Sequence, residues 1–191
     1  MKQQILLVNA CVRENSRTLS LARAVLAHLD GEVRELDLER EALQPQTASS
    51  LAAREELLQS RDLNASMLQY ARMFASADEI VIAAPYWDLS FPASVKTWIE
   101  HINVTGVTFS YGEDGRPVGH CRAKRLFYVM TAGGPILPPN HGFAYIRDLA
   151  SGFYGIPETV LFSAEMLDVA GMDTEHILQE AEDRIRAYFA E

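Results

Sequence analysis

Three short, almost unbroken apolar runs constrain this chain most: Ile5-Leu6-Leu7-Val8-Asn9-Ala10, Ile80-Val81-Ile82-Ala83-Ala84 and Leu126-Phe127-Tyr128-Val129-Met130. Each is too short for a core helix or a membrane span, and none alternates as a half-exposed strand does. Runs of this kind are strands buried on both faces, which is the condition of a parallel sheet. Helical patterns separate them. Leu19, Ala22, Leu26 and Leu29 recur at helical spacing after the first run, and Ala93 opens a pattern over 93–102. Residues 32–38 alternate and read as an edge strand, and 159–163 as a last strand. Five strands with helices between them specify a doubly wound α/β sandwich of flavodoxin-like strand order 2-1-3-4-5. Residues 107–118 alternate, turn at Gly112-Glu113-Asp114-Gly115, and predict a β-hairpin excursion.

Local signals predict the element ends. Asp30-Gly31 reads as a left-handed stop after a helix over 16–29. Asp62 reads as the cap of a helix with Leu63, Met67, Tyr70, Ala71 and Phe74 on its apolar stripe. Asp173 reads as the cap of a last helix with Ile177, Ala181, Ile185 and Tyr188 on one face. Residues 39–60 read as loop plus irregular helix around Pro45. Composition is that of an ordinary globular chain, with 48% hydrophobic and 23% charged residues. At 191 residues the expectation is a single domain over 1–191.

Charge and cysteine usage exclude partner classes. Twenty-six acidic against 17 basic residues leave a net charge of −9, which opposes nucleic-acid backbones. Cys11 and Cys121 form no CxxC pattern and no disulfide framework. No histidine pair has metal-ligand spacing, so no metal is expected, and no GxSxG occurs. The opening residues predict neither a signal peptide nor membrane insertion, so the expected location is cytoplasmic.

In an open parallel sheet the ligand lies at the carboxyl ends of the strands, where strand order reverses. Three loops then matter. The first, over 11–18, lacks GxGxxG and GK[ST], which excludes an ordinary dinucleotide site and a P-loop. It places Ser16, Arg17 and Thr18, with Arg13 and Asn15 nearby, at a helix N-terminus. Free N–H groups and the helix dipole there suit a phosphate monoester; the alternative is a plain helix cap. The second loop carries Pro85, Tyr86, Trp87, Asp88 and Leu89, where the two aromatics either flank a flat ligand or meet a second subunit. The third, Thr131-Ala132-Gly133-Gly134, lets a ring approach bare backbone, or is a simple turn. His141, in the Pro138-Pro139-Asn140-His141-Gly142 segment, offers a proton or hydrogen bond to a substrate, or is an exposed loop histidine. Cys11 is a reactive thiol or a small buried residue.

The succession Ala84-Pro85-Tyr86-Trp87-Asp88-Leu89-Ser90-Phe91-Pro92, Lys96-Thr97-Trp98-Ile99-Glu100 and Gly106-Val107-Thr108-Phe109-Ser110-Tyr111 resembles the flavodoxin-like NAD(P)H:quinone oxidoreductases, and more closely their FMN-dependent NADH-azoreductase branch. The likeness runs over essentially the whole chain. It implies FMN as cofactor, NADH or NADPH as donor, a quinone or azo acceptor and a homodimer. Ping-pong turnover is expected, because oxidant and reductant would share the space over one flavin face. By the same resemblance Ser16, Arg17 and Thr18 fall at the phosphate. Residues Pro85 to Leu89 fall along the flavin ring; Thr131, Ala132, Gly133 and Gly134 fit the loop beside it, with Gly133 and Gly134 at its pyrimidine end. Three departures stand out: Asn9-Ala10-Cys11 where the family often has a serine, Tyr86 where it often has methionine, and Asp88 where it often has asparagine. A carboxylate there would disfavour a reduced, anionic ring. An FMN electron carrier and a cofactor-free binding module are the competing readings.

Overall fold

The computed structural model describes residues 2–190. Its centre is a parallel sheet of β1 (Gln4–Asn9), β2 (Glu32–Asp37), β3 (Glu79–Ala83), β6 (Arg125–Thr131) and β7 (Glu158–Ala164), in the order β2-β1-β3-β6-β7. The remaining strands β4 (Phe109–Tyr111) and β5 (Pro117–Gly119) pair antiparallel as the expected hairpin. Counting the five sheet strands alone gives 2-1-3-4-5, the order the apolar runs required.

Alternation along the central strands divides the interior into two cores. Leu6, Val8, Ile80, Ile82, Leu126 and Tyr128 face α4 (Gln69–Ser76), α5 (Ala93–Ile102) and α6 (His141–Leu149). Ile5, Leu7, Val81, Ala83, Phe127 and Val129 face α1 (Arg17–Leu26) and α7 (Thr174–Ala190). Both faces are therefore covered, which is why these strands read as continuous apolar runs. At the sheet's amino end the buried Glu79 carboxylate receives the forked guanidinium of Arg125, with Nη2 to Oε1 at 2.7 Å.

Several local expectations need correction. The first helix ends at Leu26 with Ala27 as a right-handed cap, not at Asp30-Gly31. Gly31 is needed for a different reason: a Cβ there would lie 2.6 Å from the Gln3 carbonyl. Asp62 does not cap a helix that carries Leu63 and Met67; both are exposed. Its N–H closes the end of α3 (Ala48–Gln59) by bonding the Leu57 carbonyl, and α4 begins seven residues later at Gln69 after a 3-10 turn over Ser66–Leu68. The polar stretch before it holds α2 (Leu38–Glu41) and the regular helix α3, fixed by a reciprocal Thr47–Ser50 capping box. The segment around His141 is not a free loop. Asn140 accepts from the Phe143 N–H and caps α6, which runs into a π-helical turn over Ala150–Tyr154.

Candidate functional site

The carboxyl ends of β1, β3 and β6 open onto one cleft of about 230 Å³, where the sheet order reverses. The first loop supplies one wall. Asn9, buried at the end of β1, accepts the Cys11 N–H with its side-chain oxygen at 2.9 Å and donates to Glu35 at 2.8 Å. That turns the chain away from the sheet. Beyond it, the main-chain N–H groups of residues 12–15, 17 and 18 have no acceptor among the described residues. Ser16 caps α1 by accepting from the Leu19 N–H at 3.2 Å. Its cap role and a place in the cleft therefore coexist, since Ser16, Arg17 and Thr18 all line it.

The three side chains have different surroundings. Thr18 is buried, and its hydroxyl meets that of Thr131 at 2.6 Å, tying the first turn of α1 to the end of β6. Arg17 donates to the Leu167 carbonyl at 3.0 Å and to Asp168 Oδ1 at 2.7 Å. The Cys11 thiol donates to the Ala83 carbonyl at 3.6 Å. Burial pushes that thiol's pKa up, against a smaller opposing effect of Ser16, so it stays protonated and unreactive at neutral pH.

The second loop forms the apolar wall. Pro85, Tyr86 and Trp87 line the cleft. The Tyr86 N–H donates to the Thr131 carbonyl at 3.0 Å, and its hydroxyl accepts from the Leu137 N–H at 3.3 Å. Trp87 stays 39% exposed, so part of its surface remains available to a ligand or a second subunit. Trp87 and Ser90 exchange main-chain hydrogen bonds across Asp88 and Leu89, both at positive φ, 50° and 68°. This is a tight turn of the kind glycine usually serves, and it turns Asp88 and Leu89 away from the cleft lining. The carboxylate singled out in the sequence is thus not a wall of the site.

The third loop offers donors because its acceptors are used. The carbonyls of Ala132, Gly133 and Gly134 accept from the N–H groups of Leu167, Asp168 and Met166 at 3.2, 2.9 and 3.1 Å. The N–H groups of Gly133 and Gly134 have no acceptor among the described residues. Thr131 and Gly133 line the cleft; Ala132 is buried behind them and Gly134 borders open space. His141 is exposed on the first turn of α6 and is not among the lining residues.

Sequence reasoning omitted the loop after β7, which brings Asp168 into the lining. The signal was available, because the carboxyl-end rule covers β7 as much as β3. Taken together, the walls suit an elongated ligand with an anion at one end and a flat, acceptor-edged ring at the other. FMN has that form, and the donor set and aromatic wall fit it. No group of three or more metal-ligating side chains occurs among the described residues, and none of their helices is long and apolar enough to cross a membrane.

Comparison with known proteins identifies the family of the fold. The family Flavodoxin_2, described as having the flavodoxin-like fold, matches residues 3–189. An FMN-dependent NADH:quinone oxidoreductase 2 of Clostridium acetobutylicum is 42% identical over 125 residues, 63% of this chain and 62% of that protein. The match thus spans less than two thirds of that relative's length. An FMN-dependent NADH:quinone oxidoreductase of Coprothermobacter proteolyticus is 33% identical over 88% of each chain. The crystal structure of an azoreductase from Bacillus anthracis superposes with a TM-score of 0.83 over 98% of each chain, at 23% identity, and shares the fold.

Proposed function

The chain belongs to the flavodoxin-like fold family Flavodoxin_2, and from that premise we propose that it is an FMN-dependent oxidoreductase passing two electrons from NADH or NADPH to a quinone or azo acceptor. The observation that carries the reading is the joint presence of unpaired N–H groups and an aromatic wall in one cleft at the switch point of the sheet. The relatives' names favour NADH as donor. Residues 1–191 act as one domain in this reading.

When bound, FMN supplies the two-electron chemistry; everything else is the protein's work of holding it. The N–H groups of the 12–18 loop and the dipole of α1 hold the phosphate, with Ser16 and Arg17 as side-chain donors. Helix dipole and charged hydrogen bonds contribute about 0.3–2 and about 1.5–3 kcal/mol each. Tyr86 and Trp87 would pack against the ring and exclude water from it. The Gly133 and Gly134 N–H groups would be its backbone donors. Thr18 holds the two ends of the cleft at a fixed spacing through Thr131. No side chain inside the cleft is assigned a proton-transfer role, and His141 lies outside the lining. Trp87, Leu89 and Leu137 leave apolar surface exposed on loops beside the cleft, and a homodimer covers it in this reading.

The test is optical. Purified protein is yellow or takes up FMN in a titration, and NADH bleaches the bound flavin under anaerobic conditions. Absence of flavin uptake refutes the reading. Uptake without bleaching by either nicotinamide replaces it with an electron carrier.

A further inference from the structure

Asp168 is the one carboxylate among the residues that line the cleft. In a site built from donors for an anionic ligand, a negative charge works against binding. Its position is not incidental. The Asp168 N–H bonds the Gly133 carbonyl at 2.9 Å, and the adjacent Leu167 N–H bonds that of Ala132 at 3.2 Å, so the main chain fixes it beside the glycine turn. A Cβ on Gly133 would lie 2.3 Å from Asp168 Oδ2, so the bare Cα there is what admits the carboxylate. From that seat Oδ1 accepts from Arg17 Nη2 at 2.7 Å, while Arg17 Nη1 donates to the Leu167 carbonyl. A guanidinium has five donor hydrogens, and these contacts use two. Arg17 therefore reaches the cleft with donors to spare but with its charge matched by a neighbour.

We propose that Asp168 is a specificity-determining residue of this cleft: by matching the charge of Arg17, it limits how strongly the site prefers a phosphorylated flavin over the unphosphorylated one. The inference rests on the FMN reading above. Removing the charge while keeping the shape and the acceptor oxygen isolates the effect, because Asn at 168 still receives the Arg17 Nη2 hydrogen. With the pair partly exposed, at 31% for the Arg17 side chain and 61% for that of Asp168, the gain is modest and screened by salt.

The experiment measures FMN and riboflavin affinities of the cofactor-stripped wild type and Asp168→Asn by flavin-fluorescence titration, with thermal melting as a check on folding. The expected result is FMN binding tighter by roughly three- to tenfold at low salt in Asp168→Asn, with riboflavin affinity unchanged and the FMN gain shrinking as salt is added. Unchanged or weaker FMN binding overturns the proposal, as does an equal shift for both flavins, since a merely structural role moves both alike. A wild type that binds neither flavin overturns the FMN reading together with this one. Wild-type binding with the wrong variant pattern overturns this inference alone.

Discussion

The Thr18–Thr131 contact gives a sharp test of how the cleft is held open. Both side chains are buried, at 1% and 8% exposure, and their hydroxyls lie 2.6 Å apart, at the short end for O–H···O bonds. No other side-chain partner serves either hydroxyl among the described residues. Replacing one threonine by valine keeps the shape but leaves the other hydroxyl buried and unpaired, which costs about 1–3 kcal/mol. Replacing both removes the orphan, and the pair then packs as two methyl groups at close to the wild-type stability. Thr18→Val and Thr131→Val are thus expected to lower stability by about 1–3 kcal/mol each, while the double variant loses less than about 1. The coupling, not the single losses, is the signature, because each hydroxyl is the other's side-chain partner and removing both leaves no orphan. Urea denaturation of the cofactor-free protein reads it directly, with the midpoint shifting at constant slope. Additive single costs, or a single cost below about 0.5 kcal/mol, would mean that one hydroxyl reaches water, and the two loops are then not joined as described.

Other outcomes are equally definite. Trp87→Ala is expected to weaken FMN binding by the about 0.5–1.5 kcal/mol of an aromatic contact, some two- to twelvefold; an unchanged affinity in titration makes Trp87 a subunit-contact residue instead. Gly119→Ala places a Cβ 2.1 Å from the Tyr154 carbonyl carbon, where backbone meets backbone with no flexible end to move. The expected loss is about 3 kcal/mol or more by chemical denaturation, and a mild variant would mean that the hairpin rides loosely on the π-helical turn. Burial raises the Cys121 thiol from 9.0 to about 12, so the folded chain keeps a proton that the unfolded chain gives up. Stability from this group is therefore complete below about pH 9 and falls as pH rises towards 12. Buried Tyr154 acts in the same direction. Denaturation midpoints followed across alkaline pH should decline less steeply in Cys121→Ala, and an identical slope would deny the thiol its part.

How much of this was legible in the sequence depends on the range of the forces involved. The strands came through because burial on both faces leaves a local mark: Val8, Ile82 and Val129 sit in unbroken apolar runs. Residues 93–102 matched α5 from end to end, and Asp173 accepts from the His176 N–H as a cap should. Asp62 misled because a good cap residue is also a good helix terminator, and the choice is made by the Leu57 carbonyl and by Arg72, whose Nη1 bonds the Leu63 and Ala65 carbonyls at 2.7 Å. The helix over His141–Leu149 was masked by Pro138, Pro139 and Gly142; Asn140 was the signal for it. Gly142 is explained only in three dimensions, since a Cβ there would come 3.0 Å from the Tyr128 hydroxyl. In the site, the loops after β1, β3 and β6 were found by the topological rule. The Arg17–Asp168 pair, 151 residues apart in sequence, depends on β7 pairing beside β6, and no local pattern records it.

The donor character of the cleft follows from the same pairing. Past the end of β6, the Thr131 carbonyl is taken by the Tyr86 N–H on one side, and those of Ala132, Gly133 and Gly134 by the 166–168 main chain on the other. The ladder's continuation consumes acceptors and leaves N–H groups facing outward, while the first turn of α1 leaves its own donors free by helix geometry. Strand pairing and helix geometry therefore leave a local set of free donors in a chain of net charge −9. Surface acids do not cancel it, because at physiological salt their fields fade over about 8 Å. A long polyanion would have to run past that surface, whereas a single phosphate in the cleft would meet only the donors and one carboxylate, Asp168. The global charge thus excludes the extended ligand and leaves the compact one, and its affinity is decided by the few groups lining the cleft.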